Sequence, residues 1–463
     1  MASTSTVRLT DLLTAVSLAV DLGLGQPAGH VARSAVVAAR LNDRLDHPDD
    51  RRTVFDVAML GWPRRLGKKA AVMLDAGRSA QESLRSHCQV TAQVAERLGM
   101  SEQVIAALTQ IFARWDGKGL PAELAGDDIA QAVRTWQIAD VVEVHHRRGE
   151  DAVHAVCTQR RGTQFDPSLV DLVLADVDGL FDGLDPNSGW DEVLRRERGV
   201  GPPLGDADLV RCLEAVGDWI DLKSAWFSGH SRGVAELAGA AAPIAGLDPD
   251  DTGLVIRAAL VSDVGRSGVS NTIWDKTDPL SATEMERVRM HSYLTERSLG
   301  RVDGLAPIAR VAAMAHERLD GSGYHRGLTG AAIGLPGRVL AAADAYHTKL
   351  QPRPHRPAFT PTEAAAHLQA EADAGRLDAA VVAATLAAAG HAAPPVRAPA
   401  GLTAREVEVL ALIAGGSTNR QVARHLGISP KTVGHHVEHI YTKTGVSTRA
   451  AATLFAMEHR LIR

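Results

Sequence analysis

Apolar positions recur at helical spacing through most of the 463-residue chain, as in TAVSLAVDLG (14–23) and VIRAALVSDV (255–264), and the fold class this period predicts is all-α. The stretch from residue 400 onward is the most sharply punctuated. Thr403 with Glu406 three positions later forms a capping box opening a helix that should end at Ala414, before Gly415 and Gly416. Thr418 with Gln421 does the same for a short second helix ending near Gly427. Ser429 caps a third, with Pro430 at its first position and Gly445 at its end, and a fourth covers about 447 to 457. On the third helix Val433, Val437, Ile440 and Tyr441 form one apolar stripe. Lys431, Thr432, Gly434, His435, His436 and Lys443 lie on the other side. Helix, short helix, turn, helix is the order that lays a final helix into a DNA major groove, and Lys431 and Thr432 sit at its positive N-terminus.

A second pattern is an internal repeat. SHCQVTAQVAERLG (86–99), ARWDGKGLPAELAGDDI (113–129) and QIADVVEV (137–144) echo MHSYLTERSLG (290–300), HERLDGSGYHRGLTGAAI (316–333) and LAAADAYH (340–347). The offset is 204 throughout, so His87, Asp116 and Asp140 match His291, Asp320 and Asp344. Upstream, AGHVARSAVVAARL (28–41) resembles SGHSRGVAELAGAA (228–241), and VAMLGW (57–62) resembles AALVSD (258–263). Turn-rich sequence over 178–208 and a proline-rich linker over 390–403 mark boundaries. The chain therefore divides into 1–177, 208–392 and 400–463.

Composition adds three constraints. At 45% hydrophobic and 23% charged residues, the chain is globular rather than disordered or fibrous, and with 4% aromatics its cores must be built from Ala, Leu and Val. Residues 401–463 hold eight Lys plus Arg and four Glu, a net +4; against −5 for the whole chain, the remainder carries −9. A polyanion partner should meet the basic C-terminal module. The three cysteines, Cys88, Cys157 and Cys212, are too few and too scattered for a disulfide framework or a cysteine zinc site. No run of about 18 uncharged apolar residues occurs and the N-terminus has no basic segment leading into an apolar one, so a cytoplasmic protein without a membrane span is expected.

The run LTAREVEVLALIAGG, TNRQVARHLGIS, KTVGHHVEHIYTKTGVSTRAAA resembles the LuxR/NarL-type helix-turn-helix along its whole length. That resemblance implies binding to double-stranded DNA, as a homodimer paired through the fourth helix. The residues expected at DNA are Asn419, Arg420, Ser429, Lys431, Thr432, Val433, His435, His436 and Lys443. Gly434 departs from the family, which carries a longer polar or basic side chain there.

AALVSDVGRSGVSNTIWDK, HSYLTER, AHERLDGSGYHRGLTGAAI and RVLAAADAY resemble the HD-GYP subgroup of HD-domain phosphohydrolases, with a weaker counterpart in the first copy. The resemblance implies tandem HD-domain-like helical bundles, in a family whose histidines and aspartates hold two or three metal ions that activate water to cleave cyclic di-GMP. His230, Asp263, His291, His316 and Asp344 stand where family ligands stand. Ser262, however, replaces the histidine of the HD pair, Ala315 the first of a histidine pair, Arg266 the usual lysine, and GYP reads Gly323, Tyr324, His325. In the first copy Gly61 and Trp62 occupy the HD pair, Phe112 and Ala113 stand at the positions of His316 and Glu317, and only His30, His87 and Asp140 remain.

A hydroxyl and a methyl cannot do the work of two imidazoles, because a binuclear centre needs its bridging donors. The expectation is a DNA-binding transcriptional regulator with no catalytic residues, whose HD-GYP-like domains sense a small-molecule or nucleotide effector or mediate dimerisation, and whose second copy holds at most one divalent metal ion. An HD-GYP-type cyclic di-GMP phosphodiesterase with a DNA-binding tail is the alternative, and a pure interaction scaffold a third reading.

Overall fold

A computed structural model describes residues 7–23, 25–61, 88–184, 203–391, 399–459 and 461. Regular structure among these residues is helical, as the period predicts, with isolated bridges and no strand. None of the described helices is long and apolar enough to cross a membrane. The chain forms two compact units, Met1–Ala388 and Ala389–Arg463.

In the first unit the two copies of the repeat build matching sets of helices. The first copy contributes α1 (Leu9–Gly23), α2 (His30–Asn42), α3 (Arg51–Leu60) and α4 (Gln131–His146). The second contributes α5 (Asp206–Asp221), α6 (His230–Ile244), α7 (Pro249–Val261), α8 (Ala282–Leu299) and α9 (Leu335–Leu350). In both copies the helix that opens on a histidine packs against the next helix and against the late helix carrying the matched aspartate, α2 on α3 and α4, α6 on α7 and α9. Small side chains make this close approach possible: Ala35, Ala38 and Ala39 on α2 and Ala238, Ala241 and Ala242 on α6 are fully buried. Each histidine-bearing helix is also started in the same way. Asp21 accepts hydrogen bonds from the Gly29 and Val31 N–H groups at 2.7 and 3.0 Å, and Asp221 accepts from the Ser231 N–H and hydroxyl at 2.9 Å each. His30 and His230 are thereby fixed at the first position of their helices.

The copies share one body. Helix α1 packs on α2 and α3, but also on α8 and on the 3-10 turn Val264–Gly268 of the second copy. Arg97 pairs with Asp218 at 2.5 Å and the Leu204 N–H donates to the Val7 carbonyl at 2.9 Å.

The turn Val264–Gly268 lies flush on α8 because Gly265 has no side chain. A Cβ there would fall 1.9 Å from the His291 carbonyl oxygen and 2.8 Å from the Thr295 nitrogen. The Gly265 N–H donates to the Thr295 hydroxyl at 2.9 Å, and that hydroxyl donates to the Ser262 carbonyl at 2.9 Å. Backbone packing alone therefore brings Asp263 beside His291.

The second unit contains α10 (Ala404–Ala414), α11 (Asn419–Leu426), α12 (Pro430–Thr444) and α13 (Arg449–Glu458). Both capping boxes are present, Ser429 accepts from the Thr432 N–H, and Gly427 and Gly445 end their helices in the left-handed conformation. Helix α13 starts slightly later than 447, since the Thr448 hydroxyl caps it by accepting from the Ala451 N–H at 3.2 Å. Leu402, Val409, Leu410, Ile413, Val422, Val433, Ile440, Ala452 and Ala456 form the core.

Gly265→Ala should destabilise the helical unit by about 3 kcal/mol, because the clash is with backbone that cannot rotate away. Urea unfolding of the full chain followed by circular dichroism measures this, and an unchanged midpoint contradicts the close approach.

Candidate metal centre and nucleic-acid interface

Three of the five expected ligands converge in the second copy. Asp263, just ahead of the turn Val264–Gly268, His291 on α8 and His316 each offer an atom within 4.8 Å of the others. His230 and Asp344 close the cluster from behind: His230 Nε2 lies 3.3 Å from Asp263 Oδ2 and 3.2 Å from Asp344 Oδ1, and His316 Nδ1 lies 3.4 Å from Asp344 Oδ2. His291 Nδ1 is 2.5 Å from the Val288 carbonyl, so the proton sits there and Nε2 presents a lone pair. His291 Nε2, His316 Nε2 and both Asp263 oxygens are buried without a hydrogen-bond partner. Buried polar atoms are almost always satisfied, and buried lone pairs that face one another outside hydrogen-bond geometry are what a cation satisfies. The donor set fits one divalent ion.

The two positions at which the resemblance implies further ligands bring no donor to this group. Ser262 turns back to donate to the Ala259 carbonyl at 3.1 Å, and Ala315 contributes a buried methyl. His325 lies outside the cluster, with Nε2 2.8 Å from Glu296 Oε2. The retained turn has another use: Tyr324 stacks on His316 with ring centroids 4.9 Å apart, and Glu317 holds the turn by accepting from the Arg326 and Leu328 N–H groups at 2.8 and 2.9 Å. Sequence reading missed Tyr324, Glu317 and Thr295 as supports, although all three lie inside the quoted repeat motifs.

Electrostatics follow burial and pairing. Burial, reinforced by His316, lowers the His291 imidazole to about 3, and burial holds His316 below its ordinary value as well. Burial and Arg266 also oppose charge on His230, but the carboxylates of Asp263 and Asp344 beside it outweigh them and its pKa is raised. Asp263 and Asp344 are held well below the carboxylate range despite burial, the first by Arg266 and His230, the second by His316 and His230.

The first copy keeps the His–Asp pair, with His30 Nε2 3.1 Å from Asp140 Oδ1, and fills the rest with ion pairs. Where the second copy has Gly233 and His347, the first has Arg33 and Glu143, joined at 2.7 Å. The exchange is mutual, because a Cβ on Gly233 would lie 2.0 Å from the His347 ring. Glu143 also takes His30 Nδ1 at 2.5 Å and pairs with Arg147. Gly61 lies against Trp136, to which an added Cβ would approach within 3.1 Å. His87 and Trp62 lie outside the described residues.

On the second unit, Asn419, Arg420, Ser429, Lys431, Thr432 and His435 are exposed on α11 and α12, and His436 is half-buried. Val433 is the correction: it is fully buried in the core, on the same stripe as Ile440, and supports the helix from beneath instead of reaching DNA. Lys443 is exposed, but its ammonium lies 2.6 Å from Glu406, tying α12 to the first turn of α10. Gly434 leaves open space, since an added Cβ would meet nothing within 4 Å.

A family model described as HD domain matches residues 214–381, and one described as bacterial regulatory proteins, luxR family, matches residues 400–456. The chain thus carries an HD domain followed by a luxR-type DNA-binding domain. It is 32% identical over 308 residues to 3'3'-cGAMP-specific phosphodiesterase 3 of Vibrio cholerae serotype O1, a match covering 64% of this chain and 66% of that protein, just under two thirds of the relative's length. The crystal structure of a V. cholerae cyclic GMP-AMP specific phosphodiesterase superposes with a TM-score of 0.61 at 26% identity, covering 83% of this chain and 98% of that one. The C-terminal module is 50% identical over 61 residues to the probable transcriptional regulatory protein NarL of Mycobacterium tuberculosis, 13% of this chain and 28% of that protein.

The ion-pair network of the first copy makes a pH prediction. Although burial opposes charge, Asp140 and Glu143 raise His30 to about 9, and Glu143 is lowered to about 2 against its own burial by His30, Arg33 and Arg147. A histidine raised above its unfolded value of about 6.5 adds stability fully below that pH and loses it as pH rises through the folded value. Stability of the native chain should therefore fall between about pH 6.5 and 9. In His30→Gln that fall should flatten, as urea midpoints across the range would show; parallel profiles for the two proteins would rule the network out.

Proposed function

We propose that this chain is a transcriptional regulator in which α12 reads DNA and the helical unit senses a ligand instead of hydrolysing one. The observation that carries this reading is the donor count beside an intact DNA-binding module: three ligand atoms converge, and the two positions that would complete a binuclear centre hold Ser262 and Ala315. Hydrolysis of a phosphodiester by two ions needs one to activate water and the other to steady the leaving oxygen. One ion in the cluster, held by Asp263, His291 and His316 with His230 and Asp344 behind them, suits binding better than turnover.

The chain then works as three parts, 1–177, 208–392 and 400–463, in the cytoplasm where its DNA lies. Arg420, Lys431 and Thr432 are assigned to phosphates together with Asn419 and the Ser429 cap, and His435 and His436 to base edges. Lys443 serves through its grip on Glu406. A single module makes few phosphate contacts, so useful affinity calls for a homodimer; Leu454 and Met457 on α13, 57% and 60% exposed, support pairing there. The likeness to proteins named cyclic GMP-AMP phosphodiesterases favours a cyclic dinucleotide as the effector. A phosphodiesterase with a DNA-binding tail is the second reading, favoured by the same likeness and by the unsatisfied lone pairs.

In gel-shift titrations at several salt concentrations, the Arg420→Ala, Lys431→Ala double variant should bind DNA at least tenfold more weakly, roughly irrespective of sequence, and the salt slope should drop by about two. Undiminished affinity with an unchanged slope contradicts the assignment.

A further inference from the structure

One oxygen of Asp263 is claimed twice. Oδ1 lies 3.5 Å from the bare His291 Nε2, so an ion bridging these ligands would take that oxygen. The Arg266 Nε already lies 2.9 Å from the same atom. Arg266 is 5% exposed, with its guanidinium carbon 4.2 Å from the Phe227 ring centroid and 5.8 Å from that of Trp274. Its Nε and Nη1 are buried yet in hydrogen-bond geometry with nothing, so charge and ring faces hold the side chain, not directed bonds.

The geometry points to Arg266 as a built-in cation that stands in for the divalent ion at Asp263 and competes with it for Oδ1. This rests on the reading that the cluster holds a single ion. A carboxylate buried this deeply must be neutralised, and in the metal-free chain the guanidinium is the fixed charge nearest to it. An arriving dication meets a positive group beside the oxygen it needs, at a depth where screening is weak. Unlike a lysine ammonium, which sheds its proton readily when buried, a guanidinium cannot discharge to make room. It can only move. With Nε and Nη1 outside hydrogen-bond geometry, the side chain can slide along the face of Phe227. Arg266 belongs to the turn Val264–Gly268, on which α1 of the other copy packs, so exchange of guanidinium for metal is made at the joint between the copies.

The test is calorimetric titration of the full-length native chain and of Arg266→Met with Mn²⁺ and with Zn²⁺ alone. The methionine keeps apolar contact with Phe227 and Trp274 but removes the charge. It should bind metal about tenfold or more tightly than the native chain, with Arg266→Lys between the two, as removal of one nearby positive charge implies. Without metal, Arg266→Met should melt at a lower temperature, and added metal should raise its midpoint more than it raises that of the native chain. Equal or weaker metal affinity in a cooperatively melting Arg266→Met overturns the proposal; if that variant does not fold, Arg266→Lys matching the native affinity does so. Absence of binding by the native chain and every variant overturns this proposal together with the single-ion reading, whereas equal binding by all overturns this proposal alone.

Discussion

The helical unit is organised around the difficulty of burying a carboxylate. Asp263 is 2% exposed and Asp344 5%, and charges at that depth are tolerated only where positive charge or a metal answers them. The two copies answer in different ways on the same scaffold. In the first, among the described residues, Arg33, Arg147 and His30 pair with Glu143. In the second, glycine at 233 keeps the space open for His347, and Asp263 faces imidazole lone pairs with Arg266 as its nearest fixed charge.

The architecture holds that place rigidly. Asp221 fixes the start of α6 and hence His230, Gly265 lets the turn after Asp263 sit flush on α8 beside His291, and Tyr324 covers His316. The motif around Ser262 persists for this reason. Its glycine and aspartate answer to helix packing and charge balance, neither of which depends on the residue at 262.

Much of this was legible beforehand, and what was not has a physical cause. Helix caps are local chemistry, so Thr403, Thr418 and Ser429 marked the ends of the C-terminal helices closely. The repeat could also be read from spacing, and the departures at 262 and 315 from the resemblance to the HD-GYP subgroup. Val433 was placed at DNA although its own helical stripe pointed inward; packing decided the matter, and proximity to Lys431 and Thr432 did not. The pairing of Arg33 with Glu143 was hidden because the two lie 110 residues apart, in separate stretches of the repeat. Only side by side in the fold do they appear as the joint replacement of Gly233 and His347. Arg266 was visible as a departure from the family, but its claim on Oδ1 required coordinates.

The central claim is that the donors of the helical body hold one ion at most and do not hydrolyse a phosphodiester. The most direct measurement is metal content per chain of the purified full-length protein by plasma mass spectrometry, paired with a chromatographic assay for cleavage of a cyclic dinucleotide by the same sample. The account predicts no more than one ion per chain and an intact dinucleotide. Two ions per chain together with a linear or mononucleotide product would contradict it.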